Sequence, residues 1–357
     1  MTVHSLPHTG TSATAVESQF MDTAEGRRRP TIRDVAAVAG VSRGTVSRVI
    51  NGGHWVSPDA RIAVEEAIRS TGYTANHAAR SLATGRANSI AFLLTEPQHL
   101  LFADPTFALL LRGATEALSR RSMTVVLIVA DSEQERRNVE HYARAGHVDG
   151  VLLISSHESD TLLDTLAGAG IPTVCTGIPL GEHIPVPTVS VDEVGSARTM
   201  TRYLLDRGHR RIGIITGPND TPGGRFRLQG FREEMGDLFD PDLVEQDRYE
   251  KDAGAAAMTR LLARASDLDA VFAASDVMAV GAIAAAKRAG IRVPEDLAIA
   301  GFDNSGLAET SEPPLTTMGQ PWDRISSAMV DILLDVIAGH PRESLVLPTA
   351  LVIRDSA

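Results

Sequence analysis

Two charged residues in the C-terminal half of the sequence have side chains suited to binding a polar ligand. Arg227 follows Gly223 and Gly224 in a predicted loop, and its planar guanidinium can donate paired hydrogen bonds to a sugar or a carboxylate. Asp303 lies just after a predicted strand at 297–300, where the ligand residues of parallel sheets are found. Its carboxylate can accept two hydroxyls, which suits a sugar better than an anion. The alternative is that Arg227 and Asp303 form a structural ion pair.

Patterns typical of catalysis or metal binding are not found in the sequence. It contains no Gly-x-Ser-x-Gly elbow, no Walker loop and no Gly-x-Gly-x-x-Gly after a predicted strand. His141 and His147 are six residues apart and so do not share a helical face. Cys175 is the only cysteine, which excludes an internal disulfide and a cysteine-based metal cluster. The sequence therefore predicts a protein that is not an enzyme and has no cofactor or metal.

Three short helices are predicted near the N-terminus. Thr31 begins the first, with Asp34 placed to complete a capping box, and Gly40 ends it where a positive φ is favoured. Ser42 caps the second, which runs to about Ile50, and a third follows a glycine-rich break. Two short helices joined in this way commonly place the second in the major groove of DNA. Any helix pair interrupted by glycine gives the same pattern, so the spacing alone leaves this open.

From Ser89 onwards, short apolar runs alternate with amphipathic segments, which predicts an α/β fold with helices on both faces of parallel sheets. Strands are predicted at 90–94, 123–129, 150–154, 173–176, 188–191, 212–215, 270–273 and 297–300. The clearest helical stretches are 105–119, 193–206, 225–235, 254–263 and 277–289. The spacing does not decide between one sheet and two.

Length and charge predict more than one domain. The chain has 357 residues, which is too many for one ordinary core, and 43% of them are apolar. Residues 1–26 lack the apolar run of a signal peptide and are predicted to be a disordered tail, so we expect a cytoplasmic protein with no membrane partner. Residues 27–88 carry ten arginines against four acids, in a chain of net charge −11. A basic N-terminal segment on an acidic body favours a head that binds phosphate.

Several motifs closely resemble those of the LacI/GalR family of bacterial transcriptional regulators. Those near the N-terminus are Thr31-Ile-Arg-Asp-Val-Ala, Ala39-Gly-Val-Ser, Thr45-Val-Ser-Arg-Val-Ile-Asn51 and Ala79-Arg-Ser-Leu82. Those in the body include Arg207-Gly-His-Arg-Arg-Ile-Gly213, Arg227-Leu-Gln-Gly-Phe231, Ser275-Asp-Val-Met-Ala279, Val293-Pro-Glu-Asp-Leu297, Gly301-Phe-Asp-Asn304 and Pro314-Leu-Thr-Thr317. They follow the family order and cover residues 30 to about 354. The resemblance implies an all-α helix-turn-helix head and a two-lobed sensor similar to periplasmic binding proteins.

The resemblance also implies the domain boundaries. After the tail at 1–26, residues 27–75 form the helix-turn-helix domain, 76–88 a hinge helix with a linker, and 89–357 an effector-binding and dimerisation domain. Because the chain crosses between the lobes, we expect lobe one at about 89–190 and 320–340, and lobe two at about 191–317 with the C-terminal strand. The ligand site is expected in the cleft between the lobes, beyond the carboxyl ends of the strands.

Several positions in the head match DNA contacts of the family. Arg43, Gly44 and Arg48 match positions that face base edges, and arginine can bond guanine O6 and N7 together. The family usually has a side chain where this sequence has Gly44, so one base pair is predicted to be unread. Positions that resemble phosphate contacts are Thr31, Ser42, Thr45, Ser47 and Asn51. For Ser42 and Thr45, plain helix capping is the alternative role.

The segment 76–83 matches the hinge helix of the family and includes Asn76 and Arg80. Leu82 occupies the place of a leucine that wedges into a minor-groove step in that family, and such wedges bend the duplex. The alternative is a linker leucine that packs against the body. We favour the wedge because Ala79-Arg80-Ser81 precedes it.

The resemblance adds further candidates for effector binding. Trp322 occupies a place where the family often has an aromatic residue, and a flat indole suits the apolar face of a pyranose, although core packing is the alternative. Tyr249 looks equivalent to another aromatic of the family's cleft. The weaker candidates are Gln320, Ser275, Asp104 and Phe107. Ser275 replaces an asparagine common in the family, which removes an amide contact, and Asp276 is predicted to cap a helix.

Together these features predict a sequence-specific DNA-binding regulator, a repressor that a small-molecule effector releases from a double-stranded, pseudo-palindromic operator. Asp303 and Trp322 favour a saccharide as the effector. The alternatives are a nucleobase or nucleoside sensor of the same family and a solute-binding protein, which would share the body but not the head. The chain ends soon after Arg354 with no added heptad segment, so we expect a homodimer.

Overall fold

A computed structural model describes residues 30–50, 55–73, 85–340 and 342–357 of the chain. Two compact units divide at Thr84 and Gly85. The predicted tail at 1–26 lies outside the described residues, and so do Asn51, Asn76, Arg80 and Leu82. Among the described helices, none combines the length and the apolar character needed to cross a membrane.

The described residues of the N-terminal unit form the three helices that the sequence predicted there: α1 (Ile32–Ala39), α2 (Arg43–Ile50) and α3 (Pro58–Thr71). The Asp34 carboxylate accepts hydrogen bonds from the Thr31 backbone N–H at 2.7 Å and the Thr31 hydroxyl at 2.8 Å, which holds the start of α1. Gly40 has φ 66° and ends α1, a conformation that glycine adopts without strain. The centre of the unit is one fully buried valine from each helix, namely Val35, Val46 and Val64.

The C-terminal unit contains two six-stranded sheets. The first sheet has the spatial order β11 (Leu345–Leu347), β5 (Thr188–Val191), β4 (Thr173–Thr176), β3 (Gly150–Ile154), β1 (Ser89–Leu94) and β2 (Thr124–Val129), with all pairs parallel. The second has the order β12 (Ala350–Val352), β10 (Thr316–Gly319), β9 (Ala298–Asp303), β8 (Ala270–Ala273), β6 (Ile212–Thr216) and β7 (Val244–Gln246). In this sheet only the β10–β12 pair is antiparallel.

Each sheet is covered on both faces. Ile90 and Phe92 of β1 belong to one apolar cluster, and Ala91 and Leu93 belong to another, so alternate side chains are buried on opposite faces. The helices, in chain order, are α4 (Leu100–Ala103), α5 (Pro105–Ser119), α6 (Glu133–Arg144), α7 (Leu162–Gly168), α8 (Glu193–Asp206), α9 (Pro222–Met235), α10 (Lys251–Arg264), α11 (Asp276–Arg288), α12 (Gly306–Thr310) and α13 (Trp322–Ile337). This confirms the predicted α/β class with parallel sheets.

The sheets define two lobes, because the chain passes between them after β5, after β10 and after β11. The first lobe is the first sheet with α4–α7 and α13, and the second lobe is the second sheet with α8–α12. Strand β11 lies in the first lobe, beyond the expected 320–340 segment. Strands β7, β10 and β11 were not predicted from the sequence, and of these β7 and β11 have three residues each, too few to show a period.

Candidate functional site

A cavity of about 600 Å³ lies between the two lobes, at the carboxyl ends of their parallel strands. Its volume is within the range of small-molecule sites. All eight residues that the sequence proposed for effector binding line it, namely Arg227, Asp303, Trp322, Tyr249, Gln320, Ser275, Asp104 and Phe107. They come from both lobes and are far apart in the chain, and the fold brings them to one place.

Arg227 is held by partners on several sides. Its Nε and Nη2 atoms donate to the two carboxylate oxygens of Glu193 at 2.7 and 3.2 Å, and Nη1 donates to the Ala274 carbonyl oxygen at 2.5 Å. The Asp303 carboxylate is 3.6 Å from Nη1, and the guanidinium lies 3.7 Å from the centre of the Phe302 ring. Burial alone would lower the pKa of Arg227, but Glu193 and Asp303 raise it above its ordinary value. Arg227 is therefore a buried cation, fixed in the wall of the cavity.

The segment that carries Arg227 differs from the prediction. Gly223 and Gly224 lie in the first turn of α9 and not in a loop. A Cβ at Gly224 would lie 2.1 Å from the Pro218 carbonyl oxygen, so the chain can approach this closely only at a glycine. The close approach places the first turn of α9, and with it Arg227, at the end of β6.

Asp303 occupies an unusual backbone position at the cavity. It is the last residue of β9, which extends three residues beyond the predicted end at 300, and its φ is 111°. Its Oδ1 atom accepts from Gln320 Nε2 at 2.8 Å, and its carbonyl oxygen accepts from Trp322 Nε1 at 3.0 Å. Burial raises the pKa of Asp303 well above its ordinary value. The Arg227 cation lowers this pKa, whereas the nearby carboxyls of Asp276 and Asp104 raise it further. Three predicted residues, Asp303, Gln320 and Trp322, are thus joined by direct hydrogen bonds.

Tyr249 presents a buried hydroxyl beside the cavity. Its ring lies against Gly217, where a Cβ would come within 2.0 Å of Tyr249 Cζ. Among the described residues the hydroxyl has no hydrogen-bond partner of normal geometry. Burial raises the pKa of Tyr249 to about 12, so the hydroxyl remains a donor. A buried donor without a partner of normal geometry beside the cavity is a candidate to bind a polar group of a ligand.

Two of the weaker candidates also cap helices. Ser275 Oγ accepts from the Met278 backbone N–H at 3.3 Å at the start of α11, so the predicted capping role of Asp276 is wrong. The Asp276 carboxylate instead accepts from the Ser305 backbone N–H at 2.7 Å, and burial raises its pKa to about 7. Asp104 Oδ1 likewise accepts from the Thr106 backbone N–H at 2.9 Å at the start of α5. The capping of α11 and α5 therefore fixes Ser275 and Asp104 at the cavity wall.

A second polar group in the cavity was missed by the sequence analysis. His157 Nε2 lies 3.1 Å from Glu96 Oε1, and His157 Nδ1 lies 2.8 Å from Asp220 Oδ2. Glu96 and His157 follow β1 and β3 in the first lobe, whereas Asp220 follows β6 in the second. The rule that selected Asp303, a polar residue soon after a predicted strand, also fits these three.

We expect His157 to give the sensor a measurable pH dependence of stability. The hydrogen bond to Glu96 is the largest cause that raises the pKa of His157 from 6.5 to about 9, with Asp220 adding to it. The stabilising charge is fully present below pH 6.5 and is lost as the pH rises through about 9. The free energy of unfolding should therefore fall across this range in the parent and less steeply in His157→Gln.

Urea unfolding of the full chain at several pH values measures this slope. His340→Gln, at an exposed histidine, is the matched control and should keep the slope of the parent. Equal slopes in the parent and in His157→Gln would contradict the assignment.

The charges of the cavity favour a neutral ligand. The described lining residues include eight carboxylates and three arginines. Each arginine faces a carboxylate: Arg227 pairs with Glu193, and the other two pairs, Arg136 with Asp160 and Arg248 with Glu250, are each 3.5 Å apart. An anionic ligand would therefore meet excess negative charge, whereas hydroxyl groups can donate to the carboxylates. Among the residues that the structure describes, no cluster of His, Cys, Asp and Glu could hold a metal ion.

The predicted DNA contacts of the head lie on the outer side of α2 and at the start of α1. Arg43, Gly44 and Arg48 are exposed, while Val46 and Val49 on the opposite side of α2 are buried. The remaining described candidates are Thr31, Ser42, Thr45 and Ser47, of which Ser42 is exposed and the others are half-buried. The buried side of α2 packs within the head, and its exposed outer side is accessible to a partner.

Two details refine the interpretation of α2. Ser42 Oγ accepts from the Thr45 backbone N–H at 3.1 Å, so the capping role of Ser42 is present. A Cβ at Gly44 would lie 3.6 Å from Ser42 Oγ, which is an ordinary contact. Packing within the head therefore does not require a glycine at this position.

The described part of the head has three helices with the second exposed, and a two-lobed unit with a polar cavity follows it. Together they define a DNA-binding regulator with a ligand-sensing domain. Residues 31–76 match the profile of the bacterial regulatory proteins of the lacI family, and residues 201–357 match that of a periplasmic binding protein-like domain. The chain belongs to the LacI family of bacterial transcriptional regulators and is not an enzyme.

Two relatives and one solved structure illustrate the similarity. The HTH-type transcriptional regulator CelR of Thermobifida fusca is 46% identical over 338 residues, which are 93% of this chain and 99% of the relative. The HTH-type transcriptional repressor CytR of Escherichia coli K12 is 32% identical over 333 residues, 91% of this chain and 96% of the relative. A solved complex of the transcriptional regulator CelR with cellobiose is 43% identical with a TM-score of 0.73, and the match covers 92% of this chain and all of that one.

Proposed function

We propose that this regulator represses transcription from a pseudo-palindromic operator and that a neutral saccharide of the cellobiose type releases it. The observation that carries the proposal is the cavity, where Asp303, Gln320 and Trp322 are hydrogen-bonded to one another. The cellobiose complex of the similar protein CelR supports the choice of a disaccharide.

The lining groups suit a sugar in two ways. Trp322 and Phe107 supply aromatic surface for the apolar faces of pyranose rings. The carboxylate of Asp303 and the amide of Gln320 supply acceptors and donors for hydroxyls. Because the arginines of the cavity already face carboxylates, a phosphorylated or carboxylated sugar is expected to bind more weakly.

The proposed mechanism uses the two lobes as a two-state element. A ligand that binds both lobes favours one arrangement of the lobes, and in a homodimer this alters the spacing of the two heads on the operator. By linkage, operator DNA must weaken sugar binding by the same factor as the sugar weakens DNA binding. The protein would act in the cytoplasm, where the operator is found.

Titration calorimetry of the full chain tests the proposed effector. Cellobiose, glucose 6-phosphate and hypoxanthine are titrated separately, so that a neutral sugar, an anionic sugar and a nucleobase are compared. We expect saturable binding of cellobiose and much weaker binding of the other two. Tight binding of hypoxanthine with none of cellobiose would instead favour a nucleobase sensor.

The head gives a separate prediction. Arg48→Ala should reduce discrimination at one base pair of each half-site, at a cost of about 1–3 kcal/mol if the side chain bonds guanine. Arg69→Ala, at an exposed arginine in the last turn of α3, removes the same charge and serves as the control. Competition binding on single-base operator variants should show altered preference for Arg48→Ala only. Unchanged base preference in Arg48→Ala would remove this residue from base reading.

A further inference from the structure

The two lobes touch directly at one side of the mouth of the cavity. Glu158, which follows β3 in the first lobe, faces Arg225, which lies in the first turn of α9 in the second lobe. Arg225 Nη1 donates to Glu158 Oε1 at 2.9 Å, and Nη2 donates to Oε2 at 2.5 Å. Two parallel bonds of this kind fix both distance and orientation, so the pair joins the lobes in one defined geometry.

The surrounding contacts hold both partners of this pair in place. Arg225 Nε donates to the Asn219 carbonyl oxygen at 3.0 Å, which anchors the guanidinium to its own lobe. The Glu158 backbone N–H donates across the cleft to the Asp220 carbonyl oxygen at 2.8 Å. The contact between His157 and Asp220 lies beside it and also joins the two lobes. The contact between the lobes is therefore a local cluster of hydrogen bonds and not one isolated surface ion pair.

The pair is separate from the ligand cavity. Asp220 and His157 line the cavity, but Glu158 and Arg225 are not among its described lining residues. Both side chains are partly exposed, with 42% and 37% of their surface accessible, and the hydrogen bond from Arg225 lowers the pKa of Glu158. A ligand in the cavity can thus bind without touching the pair, although its binding depends on the lobe arrangement that the pair stabilises.

We infer that Glu158 and Arg225 form a clasp that holds the two lobes together and sets the affinity for the effector without contacting it. The inference rests on the proposed function, because it assigns the clasp to the same effector site. The apparent affinity of a ligand scales with the fraction of protein in the competent state. A partly exposed ion pair stabilises one lobe arrangement only modestly. Loss of the clasp should therefore lower the fraction of binding-competent protein, and weaken cellobiose binding, about threefold.

The chain allows a test of lobe closure that needs no ligand. It contains two tryptophans, Trp55 in the head and Trp322 at the cavity. In a Trp55→Phe background the remaining fluorescence reports on the cavity, and quenching by acrylamide measures its accessibility. We expect stronger quenching and about threefold weaker cellobiose binding in both Glu158→Gln and Arg225→Gln.

A double-mutant cycle separates the clasp from effects of each side chain alone. The double variant Glu158→Gln with Arg225→Gln should be no worse than either single variant, and the swapped pair Glu158→Arg with Arg225→Glu should recover part of the parent behaviour. Glu133→Gln removes the exposed partner of Arg137 within α6 and is the matched control. It should leave both quenching and affinity unchanged.

The two readouts distinguish failure of the clasp from failure of the proposed function. Parent-like quenching in both single variants, or fully additive effects in the double variant, would overturn the clasp. If the parent itself does not bind cellobiose, the proposed effector is wrong. Increased quenching in the two single variants, without further increase in the double variant, would still support the clasp.

Discussion

Replacing Arg227 with Met is expected to lower the free energy of unfolding of the sensor by about 3–5 kcal/mol, because it strands buried carboxylates without their cation. Glu193 loses two hydrogen bonds, and Asp303 loses a charge 3.6 Å away. The Met side chain fills much of the same volume, so the loss should come from charge and hydrogen bonding and not from a cavity.

Urea unfolding followed by Trp322 fluorescence in the Trp55→Phe background measures this loss. Arg112→Met is the control, since Arg112 and its partner Asp323 are both exposed, and it should change stability by less than about 1 kcal/mol. Adding Glu193→Gln to Arg227→Met removes one stranded charge and should restore part of the stability. If Arg227→Met unfolds at the same urea concentration as the parent, the buried network does not stabilise the sensor.

Replacing Asp303 with Asn should weaken cellobiose binding by about a hundredfold. Hydrogen bonds to a charged acceptor contribute about 1.5–3 kcal/mol each, and the proposed site offers a carboxylate to two hydroxyls. Asn has nearly the same size as Asp and keeps an oxygen that can accept from Gln320 Nε2. It also tolerates the positive φ of this position better than most residues do. The substitution therefore removes charge while leaving the surrounding geometry largely unchanged.

The cellobiose affinity of Asp303→Asn is measured by calorimetry, and its DNA affinity by fluorescence anisotropy on an operator obtained by selection from a random DNA library. DNA affinity should stay near that of the parent, since the head is unaltered. Asp335→Asn, at the half-buried carboxylate that pairs with Arg342, serves as the control and should bind cellobiose like the parent. A cellobiose affinity in Asp303→Asn within about twofold of the parent would exclude Asp303 from the site.

Much of the head and eight residues of the cavity wall could be predicted from the sequence. The first two helix starts depend on local side-chain bonds, such as those between Thr31 and Asp34, so nearby residues suffice to predict them. Asp303 was selected by its place after an apolar run, and the end of a strand is a local feature. Trp322 and Tyr249 were selected by resemblance, since single aromatic residues have no distinctive pattern of their own.

Several of the features that were missed depend on contacts between distant parts of the chain. The carboxylate of Asp276 looks like a cap in the sequence, but its partners Ser305 and Thr317 come from other elements. Glu193 carries no sequence signal for its bonds to Arg227, because the pairing exists only once α8 and α9 pack together. Contacts between the lobes, such as that of Glu158 with Arg225, are likewise a product of the tertiary structure.

Release of a repressor from its operator by a sugar is tested most directly by selection of bound duplexes from a random DNA library by the full chain, with and without cellobiose, at moderate salt. We expect a pseudo-palindromic sequence to be enriched without the sugar and this enrichment to be lost when cellobiose is added. Enrichment that is the same in both conditions, or that appears only with cellobiose, would contradict release of a repressor by this sugar.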